Sequence, residues 1–169
     1  IDIWGFTVEN EPVGNDGNWE SMHYTPEEMT NFVQHYLGPK LEKDGHDVKI
    51  LGFDQNRGEE LKKWASVMYK DEASSKYYDG MAIHWYGSTY DYFPESLQFT
   101  HNKAPNKYLI QTEACVDSET PKWKDDAWYW EKEATDWGWD WAPEKDKYLH
   151  PKYAPVNRYA TDIIGCTNN

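Results

Sequence analysis

The stretch Ile3-Trp4-Gly5-Phe6-Thr7-Val8-Glu9-Asn10-Glu11-Pro12 decides how the rest of the chain is read. Its β-branched and aromatic residues suit a strand, and proline, which has no N–H to give a ladder, stops that strand. A carboxylate is thereby presented at a strand's C-terminal end. The same design returns in Lys107-Tyr108-Leu109-Ile110-Gln111-Thr112-Glu113-Ala114, which delivers Glu113 near its own end. In a parallel α/β sheet all strands end on one face, so two such carboxylates converge over a ligand. Glu11 and Glu113 are therefore the candidate catalytic pair.

Between these strands, helix and strand signals alternate. Thr25-Pro26-Glu27-Glu28 makes a capping box with proline at the first helical position. Met29, Phe32, Val33, Tyr36 and Leu37 follow at helical spacing as one apolar stripe. Gly38-Pro39 should bend or interrupt this helix, and Lys43-Asp44-Gly45 should end it. A second strand over 48–53 runs into Asp54-Gln55-Asn56-Arg57, and a helix over 59–69 carries Leu61, Trp64, Ala65 and Met68 on one face. Met81-Ala82-Ile83-His84-Trp85-Tyr86 reads as a third strand, too continuously apolar at its start to face water on either side. Helix-covered parallel sheets require that pattern. A weaker helix over 94–102 precedes the strand of Glu113.

Strand starts near 3, 48, 81 and 108 give a repeat of about 35 residues, close to the roughly 31 per unit of an eight-unit barrel. Four strands are half of one. The doubly wound sheet competes, but no Gly-rich phosphate loop follows the first strand. Lys122 to Trp141, with Trp123, Trp128, Trp130, Trp137, Trp139 and Trp141 among charges, suits a long loop over the barrel mouth, with a helical turn near 125–134. A last helix over 154–166 offers Tyr159, Ile163 and Ile164 to the sheet. The chain opens inside a strand and stops directly after a helix, so residues 1–169 are expected to form a single incomplete domain.

Composition narrows the function classes. Lys plus Arg 17 against Asp plus Glu 30 leave a formal net charge of −13, which repels nucleic acid. No apolar run approaches the ~20 residues of a membrane-spanning helix. Two cysteines, Cys115 and Cys166, make neither a disulfide framework nor a zinc spacing and are read as free thiols. The histidines are scattered without a metal motif. Ten Trp and 13 Tyr supply flat, amphipathic rings that suit sugars as well as core packing.

In order along the chain, Thr7-Val8-Glu9-Asn10-Glu11-Pro12, Leu37-Gly38-Pro39-Lys40-Leu41, Asp54 with Arg57, His84-Trp85-Tyr86 and Thr112-Glu113-Ala114-Cys115-Val116 resemble glycoside hydrolase family 30, and within it the glucosylceramidase-like branch. The likeness covers nearly the whole chain except the Trp-rich loop, which is longer than the family pattern implies. It implies a TIM (β/α)8 barrel, here about strands four to seven, with retaining hydrolysis of β-glucosides and no cofactor. By position it gives Glu11 the acid/base role and Glu113 the nucleophile role. Asn10 falls where the family binds the sugar's 2-hydroxyl, and His84, Trp85 and Tyr86 line the cleft. The implied partners are a carbohydrate or glycolipid substrate and the rest of the parent barrel, in a secreted or periplasmic setting. With strands one to three and eight missing, the fragment by itself is expected to be inactive. An endo-β-1,6-glucanase or β-xylosidase of the same family is the alternative activity.

Each residue also has a plainer reading. Most acids are solvated surface charges, and Glu9, Asp117 and Glu119 are read so; Glu11 and Glu113 differ in ending apolar strands. Retaining hydrolysis needs its two carboxyls about 5–5.5 Å apart. His84 suits a satisfied core histidine as well as a cleft residue. Tyr86 can steady a neighbouring nucleophilic carboxylate by hydrogen bonding. Asp54 and Arg57 are expected to form a local ion pair. A non-catalytic carbohydrate-binding fragment, its glutamates merely accepting hydroxyl hydrogen bonds, is the reading from another class.

Overall fold

The computed structural model describes residues 1–14, 22–87, 91–114, 160, 163–165 and 167. The Trp-rich 122–141 segment and both cysteines lie outside these. The order is β1 (Gly5–Thr7), α1 (Pro26–Phe32), a π-helical turn (Val33–Leu37), α2 (Gly38–Asp44), β2 (Lys49–Asn56), α3 (Glu59–Met68), α4 (Glu72–Ser75), β3 (Gly80–His84), α5 (Pro94–Lys103) and β4 (Tyr108–Glu113). The strands form one sheet in the order β1-β2-β3-β4, every pairing parallel. Four sequential parallel strands with helical crossovers are half of an eight-stranded barrel, as the strand spacing predicts.

The helices share one side of the sheet. Met29 and Val33 of the first helical run join Leu61, Trp64, Ala65 and Met68 of α3 and Leu97 of α5 over Ile50, Phe53, Met81 and Ile83 of the sheet. Phe53 and Trp64 meet at 5.6 Å between ring centroids. Losing an aromatic from such a core costs about 3–5 kcal/mol. Trp4, just before β1, and Tyr108 of β4 meet edge to face at 5.4 Å, although β1 and β4 are the two outer strands. Flat strands at about 4.8 Å spacing would hold those rings far apart, so the sheet curls.

Several expectations shift. The first strand is shorter than its apolar run, and Ile3 and Trp4 are exposed. The third strand ends at His84, leaving Trp85 and Tyr86 in the turn beyond it. Thr25 caps α1 through the full capping box, and Gly45 ends α2 in the left-handed region at φ 75°. The interruption expected at Gly38-Pro39 takes the form of a π turn just before it, closed by the Gly38 N–H donating to the Val33 carbonyl, and helix then continues as α2 to Asp44. That wider turn rotates the stripe, leaving Tyr36 exposed while Met29 and Val33 are fully buried. The segment expected as the last helix is helical at 160 and 163–165. There Ile163 and Ile164 are exposed rather than turned to the sheet, and Gly165 abuts the Tyr92 ring.

Candidate active site

At the C-terminal end of the sheet, strand alternation is broken twice. In β2, Phe53 and Gln55 pair with the consecutive Ala82 and Ile83, so Asp54 is an extra residue without a ladder partner. In β4, Gln111 and Glu113 pair with Ile83 and His84, so Thr112 is extra. These slips decide which side chains reach the site. Strict alternation would send residue 54 to the helix side with Ile50, and Glu113 to the helix side with Leu109. The extra residue turns each inward instead. In β2 the turn is made by two successive left-handed residues, Phe53 at φ 74° and Asp54 at φ 50°.

Glu11 reaches the same point by a different route. It too is left-handed, at φ 54°, with its N–H donating to the Asp54 carbonyl and its own carbonyl accepting from Gly14. Pro12 carries the chain away, and its carbonyl accepts the Tyr24 N–H where the following loop returns. Three of the four described non-glycine residues with positive φ thus lie around one site. Such backbone costs about 1–3 kcal/mol per residue and clusters where function over-determines it.

His84 is the centre of the cluster. It is fully buried, with Nε2 3.0 Å from Asp54 Oδ1 and 3.6 Å from Glu113 Oε2, and Nδ1 3.4 Å from Glu11 Oε1. Asp54 Oδ1 also accepts from Thr112 Oγ1 at 2.7 Å. Glu11 is 5 % exposed, and its Oε2 is buried without a hydrogen-bond partner. The Glu113 side chain is open, 44 % exposed.

The protonation preferences follow from this packing. Burial pushes Glu11 above the usual carboxylate value; the His84 ring opposes this, and the charges of Glu113 and Asp54 add to it. Burial works against the Asp54 carboxylate as well, yet the hydrogen bonds from His84, Thr112 and Thr7 outweigh it and hold Asp54 below its usual value. Burial alone would lower His84, but its bond to Asp54 and the charges of Asp54, Glu113 and Glu11 raise it. The packing therefore shifts the imidazole toward its charged form, Asp54 toward its ionised form and Glu11 toward its protonated form.

The sequence-predicted residues divide into two groups. Glu11, His84 and Glu113 come together. Tyr86 stands edge-on to the His84 ring at 6.1 Å, and its N–H donates to Asn56 Oδ1 at 2.8 Å. Asn10, next to Glu11 in the chain, is exposed. Trp85, expected in the cleft, is 2 % exposed. Asp54, expected in a local ion pair with Arg57, pairs across the sheet with His84, because the β2 slip turns its carboxylate there. Glu9, read as a surface charge, accepts the Met22 N–H at 3.1 Å. Among the described residues no group of three or more His, Cys, Asp or Glu is placed to hold a metal ion, and no helix is long and apolar enough to cross a membrane.

Carboxylates gathered over the C-terminal end of a curled parallel sheet are what a TIM-barrel glycoside hydrolase domain presents. The chain belongs to glycosyl hydrolase family 30, whose TIM-barrel domain matches residues 1–141. It is 34% identical over 141 residues to the lysosomal acid glucosylceramidase of Mus musculus, covering 82% of this chain and 25% of that protein. It superposes on SrfJ from Salmonella typhimurium with a TM-score of 0.71 at 28% identity, covering 99% of this chain and 31% of that one. The endo-β1,6-glucanase BT3312 gives a TM-score of 0.61 at 36% identity, covering 70% and 26% of the two chains. The chain thus spans about a quarter of the length of the curated relatives it matches.

Proposed function

We propose that the intact protein carrying this chain is a retaining β-glycoside hydrolase acting on β-glucosides, with Glu11 as general acid/base and Glu113 as nucleophile. The observation that carries this reading is the unequal setting of the two glutamates around His84. Glu11 is buried and pushed toward its protonated form, while Glu113 is open to a ligand. In the first step Glu113 attacks the anomeric carbon as Glu11 gives its proton to the leaving oxygen. The glycosyl ester on Glu113 carries no charge, so Glu11 then serves as base for the water that releases the sugar. Asn10, exposed beside Glu11, is assigned to the sugar's 2-hydroxyl, and Tyr86 to the cleft wall.

Glucosylceramide-like lipids and β-1,6-linked glucan are the candidate natural substrates, with xylosides behind them. Similarity to a glucosylceramidase and to an endo-β1,6-glucanase supports both of the first two. The test is to assay the intact protein on an aryl β-glucoside, an aryl β-xyloside and β-1,6-glucan, following the first-formed anomer by NMR. Glucoside turnover with a β-configured first product is expected. An α-configured first product overturns the mechanism, and sugar binding without turnover overturns the enzyme reading in favour of a binding protein.

A further inference from the structure

We propose that Asp54 is a positioning residue of this site: by taking the Nε2 hydrogen of His84 it fixes the imidazole with Nδ1 facing Glu11 and keeps that hydrogen from Glu113. The proposal rests on the two-glutamate reading above and adds the group that sets it.

Geometry decides the competition for Nε2. Asp54 Oδ1 stands at 3.0 Å, inside hydrogen-bond range, and Glu113 Oε2 at 3.6 Å, outside it. The same Asp54 oxygen accepts from Thr112 Oγ1 at 2.7 Å, and an ionised carboxylate only accepts. Nε2 therefore carries hydrogen whether the ring is charged or neutral, and Nδ1 is the nitrogen whose proton varies. Nδ1 faces Glu11 Oε1, so Glu11 Oε2, buried without another partner, is the oxygen left to give a proton to a substrate. Glu113, spared the Nε2 hydrogen, keeps its lone pairs for the anomeric carbon.

The groups facing His84 come from every surrounding element. Glu11 follows β1, Asp54 lies in β2 and Glu113 ends β4. Tyr86 sets its ring edge against the imidazole, and the Arg57 N–H donates to the His84 carbonyl. Asp54 is the nearest of the three carboxylates, and it is there only because of the slip in β2.

The test uses the intact protein. Imidazole 15N NMR of the unsubstituted protein should show hydrogen on Nε2 above the titration midpoint of His84; a hydrogen on Nδ1 alone would overturn the proposal without any variant. Asp54→Asn tolerates the left-handed backbone that Asp54 adopts. It should lower the His84 midpoint by on the order of one unit. It should also cut kcat by about 10–100-fold with KM little changed. Above the lowered midpoint the ring no longer pulls Glu11 down, and this outweighs the smaller loss of Asp54's own charge, so the alkaline limb of the pH–rate profile should move to higher pH. An unmoved His84 midpoint, or an unmoved alkaline limb, overturns the proposal. If the unsubstituted protein turns over no β-glycoside, the glycosidase reading fails by itself, and the tautomer and midpoint still decide whether Asp54 holds His84.

Discussion

Thr112 Oγ1 donates to Asp54 Oδ1 at 2.7 Å across a strand to which neither residue belongs. Each is the extra residue of its own strand, and β3, carrying His84, lies between them. The two slips are thus one device: they seat a carboxylate beside the imidazole and turn Glu113 into the same space.

The division of labour between the glutamates is readable in leaving-group dependence. Glu11→Gln keeps the shape of the site but has no proton to give. It should slow aryl β-glucosides with poor leaving groups by roughly 10²–10⁴-fold and activated ones far less. Glu113→Gln should abolish turnover for all of them. A series of kcat/KM values across substituted phenyl glucosides makes the comparison, and equal losses for Glu11→Gln along the series would refute the assignment.

The titrating groups also leave a signature in stability. Glu11 has a folded pKa above its ordinary 4.5, so its contribution is present below that value and is lost as pH rises through the folded pKa. Asp54 runs the other way: its folded pKa lies below 3.8, so its contribution is present above 3.8 and is lost as pH falls through the folded value. Thermal melts of the intact protein should then show Glu11→Gln stabilising by on the order of 1 kcal/mol at pH 7 and by less at pH 4. Asp54→Asn should destabilise at pH 7, with the loss shrinking toward pH 3. A Glu11→Gln effect independent of pH would contradict this.

Two glycines separate close approach from backbone conformation. A Cβ on Gly80 would stand 2.4 Å from the Tyr108 carbonyl oxygen, where β3 and β4 begin to pair, so the strands would have to part. Gly80→Ala should cost on the order of 3 kcal/mol. At Gly45 there is open space but φ is 75°, and alanine there should cost only about 1 kcal/mol. Urea-unfolding midpoints rank the two, and the reverse order would show the β3–β4 contact to be looser than described.

The placement of Glu113 at the end of β4 was legible from its apolar run; Glu11 was legible as lying at the same end of the sheet, although β1 stops at Thr7 rather than at Pro12. The helix stripes were legible too, with Leu61, Trp64, Ala65 and Met68 all buried. Asp54 as a partner of His84 was not. Phe53 and Asp54 are left-handed with no glycine to announce it, and period-two reading from Ile50 sends residue 54 to the wrong side. Tyr36 was misjudged for a similar reason, since a π turn changes the helical phase and nothing in Val33–Leu37 signals one.

Because Asp54 and Thr112 have no Cα partner in the ladders, a substitution at either leaves every strand with its neighbour. Proton placement can therefore be retuned by side chains that tolerate the left-handed backbone of Asp54, with the strand pairing left as it is.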